Sequence, residues 1–216
     1  MNKFKKIISL VCLIVLSVIL FAGCEDNNIV KLRQDFDSLN FENYYGYMQT
    51  VDVQAGDLSY TSYIKMINYN GQDYKVYEME KTLNGLDSAD QFTVVDNTYY
   101  IVDGKKQELV DGEYKETENA EISLSLGINI KEEYFKGFSV QEDQTGIKIF
   151  NGILLPSKAN QFINKEIQNI NTMTLKVIVR SGKLSTCTIN YTKTDNTVVD
   201  ITTIFYTEVQ SFNLPE

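Results

Sequence analysis

Two pairs of carboxylates lie close enough in the sequence to suggest acid–base chemistry. Glu78 and Glu80 are two residues apart on one predicted strand, and Glu132 is followed directly by Glu133 at the start of a predicted short helix. Paired carboxylates can cleave glycosides when one acts as the acid and the other as the nucleophile or base. Such pairs are more often the solvated face of a strand or the first turn of a helix, and the sequence favours that interpretation.

Other catalytic and metal-binding arrangements lack the residues they need. The chain has no histidine, so a Ser-His-Asp arrangement is impossible and the commonest metal ligand is missing. The segment Asp87–Asp90 lacks the pattern of a calcium loop. Ser62-Tyr63-Ile64-Lys65 matches the Ser-Xaa-Xaa-Lys motif of penicillin-binding proteins, but in a predicted strand Ser62 and Lys65 face opposite sides. We therefore predict a protein that is not an enzyme and needs neither cofactor nor metal.

The N-terminus has the pattern of an export signal. Three lysines in the first six residues precede the apolar run Ile7–Ala22, and the small residue Gly23 precedes Cys24. A run of 16 residues is short for a membrane span, which needs about 20, and a small-residue cleavage site follows it. The pattern favours a cleaved signal peptide over the alternative, an uncleaved transmembrane anchor.

Phe21-Ala22-Gly23-Cys24 resembles the lipobox of bacterial lipoproteins, with Phe21 where Leu is usual. The resemblance implies that a diacylglyceryl group is attached to Cys24 and that a peptidase cleaves between Gly23 and Cys24. Two acyl chains anchor a protein stably, at about 0.8 kcal/mol per buried CH₂. We expect an extracytoplasmic protein on the cell membrane, with a signal peptide at 1–23, a lipidated tether at 24–28 and one domain at 29–216.

The net charge argues against a nucleic-acid partner, and the cysteine content argues against an intramolecular disulfide. The predicted signal peptide carries three lysines and no acidic residue, so its removal takes the formal net charge from −9 to −12. An acidic surface repels nucleic acid, and no nucleic-acid partner is expected. Cys187 is the only cysteine left after Cys12 is removed and Cys24 is acylated, so it is expected to be a small buried apolar residue rather than half of a disulfide.

Hydrophobic periodicity predicts four helices. The first helix, Asn28–Leu39, has Asn27 or Asn28 as its N-cap. Two short helices follow in the middle of the chain, at Ala120–Ile128 and Lys131–Phe135. Pro156 ends a strand, and Ser157 is the expected N-cap of a helix over Ser157–Ile170.

The rest of the chain has the composition and alternation of β-strands joined by short turns. In the first half we predict Tyr44–Gln54, Leu58–Tyr69, Gln72–Thr82, Gln91–Val95, Thr98–Val102 and Lys106–Val110. Their turns are predicted at Ala55-Gly56-Asp57, Asn70-Gly71, Asp96-Asn97, Asp103-Gly104 and Asp111-Gly112. In the second half we predict the strands Phe138–Glu142, Ile147–Leu154, Met173–Arg180, Leu184–Thr192 and Thr197–Gln210. The turns between the last three strands are predicted at Ser181-Gly182-Lys183 and Thr194-Asp195-Asn196.

These elements predict one α+β domain, a long antiparallel sheet with helices on one side. Apolar side chains that alternate along the last three strands are expected to share the covered face of that sheet, and they are Met173, Leu175, Val177, Val179, Cys187, Ile189, Tyr191, Val199, Ile201 and Phe205. Two interpretations of this face remain open. It is either an ordinary packed core or the lining of a pocket for a hydrophobic ligand.

The order of elements resembles that of the LolA-like superfamily of lipoprotein carriers and their lipid-anchored relatives. The matching parts are the helix Asn28–Leu39, the meander Tyr44–Val110, the predicted helical segment Ala120–Phe135, the segment Ile153-Leu154-Leu155-Pro156 and the closing strands. The resemblance implies an incomplete barrel whose concave side is covered by helices and whose apolar hollow receives acyl chains. No residue here matches the arginine that LolA uses near its hollow.

Within that superfamily the chain resembles the GerS-type lipoproteins of spore-forming Gram-positive bacteria. The shared features are size, the lipobox, and a composition rich in Asn and poor in Ala that is typical of low-GC genomes. That resemblance implies a second hypothesis, in which the domain binds and activates a cell-envelope enzyme such as a cell-wall amidase of the spore cortex. The first hypothesis remains a non-catalytic module that holds a lipid. A homodimer formed through an edge strand is a further possible partner arrangement.

Overall fold

The computed structural model describes residues 25–68, 73–84, 92–120 and 124–208. The predicted signal peptide, Cys24 and the predicted turn Asn70-Gly71 lie outside these ranges. The strands are β1 Gly46–Ala55, β2 Leu58–Asn68, β3 Tyr74–Asn84, β4 Phe92–Val102, β5 Lys105–Val110, β6 Glu113–Asn119, β7 Phe135–Glu142, β8 Lys148–Leu154, β9 Ile170–Arg180, β10 Lys183–Lys193 and β11 Val198–Tyr206.

The eleven described strands form one antiparallel sheet in the order β6-β5-β4-β3-β2-β1-β11-β10-β9-β8-β7. Two meanders build it, β1 to β6 and β7 to β11, and they join where β1 pairs with β11. The described chain between β6 and β7 returns from one edge of the sheet to the other. The sheet is open, and its two edges are β6 and β7. The predicted fold class, a long antiparallel sheet with helices on one side, is confirmed.

The first helix, α1 (Asn27–Asp37), covers the sheet through one apolar stripe. Ile29, Leu32 and Phe36 recur at helical spacing and are buried in the main core. The predicted N-cap is wrong by one or two positions, because the side chain of Asp26 accepts the hydrogen bond from the Asn28 N–H at 2.8 Å. An ionised carboxylate also interacts favourably with the positive end of the helix dipole.

The predicted turns at Asp103-Gly104, Asp111-Gly112 and Ser181-Gly182 are confirmed, with both residues of each at positive φ. The predicted turn at Asp96-Asn97 is wrong. β4 runs without interruption through both residues, which pair with Met79 and Glu78 of β3. Pairing with a long neighbouring strand outweighs the turn propensity of an Asp-Asn dipeptide. Strand β6, rich in charged residues, was not predicted.

The predicted helix Ala120–Ile128 is wrong in its described part. Leu124, Leu126, Ile128 and Ile130 alternate with exposed residues, and the segment Leu124–Ile130 forms neither a helix nor a strand. Gly127 within it has a φ of +64°. An alternation with a period of two residues is not that of a helix, and it is legible in the sequence. The predicted helix Lys131–Phe135 is a single 3₁₀ turn, Glu132–Tyr134.

The predicted helix Ser157–Ile170 is much shorter in the structure. A 3₁₀ turn at Pro156–Lys158 leads into α2 (Ala159–Phe162), and Ser157 does not cap it. Asn164 follows with a φ of +47°. A left-handed residue cannot continue an α-helix, so Ile167 lies in a loop, and Ile170 begins β9.

One buried hydrogen bond ties the segment before β1 to the start of β10. The Leu184 N–H donates to the Tyr44 hydroxyl at 2.9 Å, and Tyr44 is 2% exposed. Tyr44→Phe leaves this N–H without its partner, so we expect a loss of about 1–3 kcal/mol in the free energy of unfolding. Urea titration measures it, with Tyr45→Phe as the control, because Tyr45 is only half-buried and its hydroxyl has no hydrogen bond among the described residues. Equal stability of the two variants would contradict the prediction.

Candidate hydrophobic binding site

The covered face of the sheet carries the apolar residues that the alternation placed there. In β9, β10 and β11 the structure buries Met173, Leu175, Val177, Val179, Cys187, Ile189, Tyr191, Val199 and Phe205, and it leaves Ile201 half-buried. Each belongs to one core cluster, or packs against it, together with the three buried residues of α1. Most of this face is therefore an ordinary packed core.

Part of the face is not filled. A cavity of about 390 Å³ lies between the central strands β1, β11 and β10 and the chain segments that cover them. The strand register arranges its floor in three cross-strand rows. These rows are Gln49–Thr203–Cys187, Val51–Ile201–Ile189 and Val53–Val199–Tyr191.

The cover comes from two loops rather than from a long helix. One loop contributes Leu126 and Ile128, from the segment Leu124–Ile130, and the other contributes Ile163, Lys165 and Ile167, just after α2. Hydrogen bonds to backbone carbonyls fix these loops to each other and to α1. The Asn129 N–H donates to the Phe162 carbonyl at 2.6 Å, and the Arg33 Nε–H donates to the Ile130 carbonyl at 2.7 Å.

The two ends of the cavity differ in what surrounds them. At the inner end Gln49 Nε2 donates to Thr203 Oγ1 at 3.0 Å. The next row beyond it contains Phe205, which packs against Tyr44 with ring centroids 5.6 Å apart. At the opposite end lies Tyr191, where burial raises the pKa of the phenol. A second depression, lined by Lys165, Glu166, Ile167, Gln168, Tyr191 and Lys193, adjoins the cavity there. Because the cavity meets this depression at Tyr191, we call this end of the cavity its mouth.

The lining is apolar but only partly buried. Seven aliphatic side chains around the cavity are half-buried, and they are Val51, Val53, Leu126, Ile128, Ile163, Ile167 and Ile201. The volume lies near the lower end of the roughly 300–1,000 Å³ typical of small-molecule sites. This arrangement can hold an apolar chain, and the lining has no pair of groups suited to acid–base or nucleophilic chemistry.

The residues singled out for possible catalysis have structural roles or lie elsewhere. Glu78 accepts a hydrogen bond from the Tyr99 hydroxyl at 3.0 Å, and burial, with the charge of Glu78, raises the pKa of Tyr99. Glu132 accepts from the Asp26 N–H at 2.8 Å, ahead of α1. Ser62 and Lys65 lie within β2 as expected. Among the described residues no group of three or more Cys, Asp and Glu is placed to hold a metal.

Cys187 lies in the innermost row and is 2% exposed. Burial raises the pKa of its thiol to about 12. Because a thiol in the unfolded chain ionises near pH 8.5, this group destabilises the folded state progressively as the pH rises above that value. We expect no reaction with a thiol reagent at pH 8 in the folded protein and full reaction in denaturant. Rapid labelling of the folded protein would show that the inner end of the cavity is open to water.

Alternation in the sequence identifies only five of the fourteen residues that line this cavity, and they are Cys187, Ile189, Tyr191, Val199 and Ile201. Gln49, Val51 and Val53 alternate along β1 in the same way as the residues of the last strands, so the signal was present. Lys165 and Ile167 were assigned to a helix. Their contribution depends on the loop that follows Asn164, which periodicity does not reveal.

Comparisons with known proteins add little about function. No family model matches the chain, and no curated protein matches it. It is similar to the crystal structure of LprF from Mycobacterium bovis, with 14% identity, a TM-score of 0.43, and coverage of 90% of this chain and 100% of that one. A de novo designed fluorescence-activating β-barrel has 8% identity and a TM-score of 0.23, with 77% of this chain and 98% of that one covered. Similarities this distant carry no argument about family or activity.

Within the described ranges, no helix is both long and apolar enough to cross a membrane.

Proposed function

We propose that this protein is a non-catalytic binding module that holds a hydrophobic chain, of the kind found in lipids, between its curved sheet and its covering loops. The observation that carries the proposal is the cavity of about 390 Å³ ringed by half-buried aliphatic side chains. A filled core would bury these residues. Covering the exposed area of these side chains with an acyl chain contributes roughly 25 cal/mol per Å² to the free energy of binding.

We also propose that the module is tethered to the outer side of the cell membrane by a diacylglyceryl group on Cys24. Asp26 already caps α1, so only Glu25 separates the proposed lipid from the folded domain. The tether is therefore short, and the domain stays close to the membrane surface, where lipids are the nearest ligands. The superfamily proposed for it is the LolA-like one, as the element order suggests.

Titration of residues 25–216 with Nile red, a neutral dye that fluoresces in apolar surroundings, tests the binding proposal. We expect saturable fluorescence with one dye per chain, lost on unfolding in urea. Fluorescence no greater than that of the unfolded chain would overturn the proposed function.

A second candidate function, binding of a cell-envelope protein such as an amidase, is favoured by a different surface. On the outer face of the sheet the rings of Tyr63 and Tyr77 meet edge to face, with centroids 5.6 Å apart. Lys65 Nζ lies 5.7 Å from the centroid of the Tyr206 ring. Aromatic side chains are enriched in protein interfaces. A pull-down from envelope extracts, repeated with Tyr63→Ser, tests this candidate. It requires a stoichiometric partner that the variant loses.

A further inference from the structure

The mouth of the cavity carries positive charge on a chain that is acidic overall. Lys165 lines the cavity itself, and with Lys193 it lines the adjoining depression at Tyr191. Lys193 is the last residue of β10, two residues after Tyr191, and both side chains line this depression. The formal net charge of the chain is −9, so two lysines at an apolar opening depart from the general charge distribution.

These lysines are little compensated within the described fold. Neither Lys165 nor Lys193 has a carboxylate oxygen within 4.0 Å among the described residues. Glu166 lies in the same depression. Asp195 is also near: hydrogen bonds from Thr197 lower its pKa most, and the charge of Lys193 lowers it further. Lys165 is therefore the less compensated of the two cations.

The size of the cavity limits the ligand to one chain. If a methylene takes roughly the share of liquid volume of a water molecule, ~30 Å³, then 390 Å³ holds about 13 methylenes. The first and third rows of the floor are four residues apart, which corresponds to about 13 Å along the strands. A lipid with two or three full acyl chains would leave most of its apolar surface outside this space.

Resting on the proposed function, we propose that the ligand is an anionic amphiphile with a single acyl chain, whose carboxylate or phosphate lies at the mouth beside Lys165 and Lys193. The chain lies over the three rows of the floor, with its end toward Thr203. A charged head at Lys165 stays in contact with water, so neither the head nor the ammonium group has to be fully desolvated. A fatty acid and a single-chain phospholipid share this chemistry.

Competition against Nile red on residues 25–216 tests the inference with four amphiphiles of equal chain length. These are dodecanoate, dodecyl phosphate, dodecanol and dodecylammonium. We expect the two anions to displace the dye at roughly 2- to 30-fold lower concentration than dodecanol, the range for two exposed ion pairs. Dodecylammonium should compete least. The preference should shrink in 1 M salt, because solvent-exposed charges are then screened beyond about 3 Å.

The double variant Lys165→Gln/Lys193→Gln should lose the preference for anions, measured on that variant as the ratio of the dodecanol concentration to the dodecanoate concentration that displaces half of the dye. Lys176→Gln is the matched control, since Lys176 is exposed on the outer face of β9 and should leave the preference intact. Both variants change exposed or half-buried polar residues, and a thermal melt confirms that they fold. A stronger effect of dodecanoate supports a fatty acid as the source, and a stronger effect of dodecyl phosphate supports a phospholipid.

Failure of this inference and failure of the proposed function give different results. If dodecanol and the anions displace the dye equally, or if the double variant keeps the preference for anions, the proposal of an anionic headgroup is wrong. The proposal that the cavity binds a hydrophobic chain is then unaffected. A wild-type protein that binds no dye and no amphiphile overturns both.

Discussion

Ile201→Phe is expected to reduce Nile red affinity by at least about tenfold while leaving the fold intact. Ile201 is half-buried at the centre of the middle row, between Val51 and Ile189. A phenyl ring there enters the space proposed for the ligand. Because that space is empty of protein atoms, the stability cost should fall below the roughly 1–3 kcal/mol of overpacking a filled core.

The matched control for this variant is Ile204→Phe. Ile204 lies three residues further along β11, on the outer face, and it is also half-buried. It should leave dye binding unchanged. Dye titration and a urea melt of both variants separate loss of the site from loss of the fold. Normal dye binding by Ile201→Phe would show that the ligand space lies elsewhere.

Gly46→Ala is expected to destabilise the protein by at least about 3 kcal/mol, the range of backbone strain combined with a steric clash. Gly46 begins β1 with a φ of +139°, and a Cβ there would lie 2.1 Å from the Met66 carbonyl oxygen. Both are backbone constraints, so no side chain can move to relieve them. The damage falls where β1 pairs with both β2 and β11, which joins the two meanders.

Gly137→Ala provides the comparison, because a Cβ at this position in β7 meets no atom within 4 Å. We expect it to change the free energy of unfolding by no more than about 1 kcal/mol. Urea unfolding followed by circular dichroism measures both. Similar midpoints for the two variants would mean that β1 and β2 do not approach each other as closely as described.

The sheet could be predicted well because its signals are local. Side chains that alternate from Met173 to Val179 identify a strand and its buried face, and Asp-Gly or Ser-Gly dipeptides identify the turns. The prediction failed where tertiary contacts outweighed local propensity. Asp96-Asn97 has the composition of a turn, yet β3 extends past it and pairs with both residues.

The cover of the sheet was predicted less well than the sheet itself. The alternation of Leu124, Leu126, Ile128 and Ile130 contradicts the predicted helix Ala120–Ile128, because a period of two residues is not that of a helix. Ile163 and Ile167 are spaced as in a helix, and the left-handed Asn164 between them ends it. The cavity could not be predicted from sequence, because it depends on how much of the covered face of the sheet these two loops fill.

Native mass spectrometry of residues 25–216, purified from expressing cells, shows directly whether the covered face of the sheet holds a lipid. We expect a retained mass of the size of one single-chain lipid on the folded wild-type protein, absent from Ile201→Phe. If the wild type shows only the mass of the protein without lipid, and this mass is unchanged after incubation with excess dodecanoate, the claim that the covered face holds an acyl chain is contradicted.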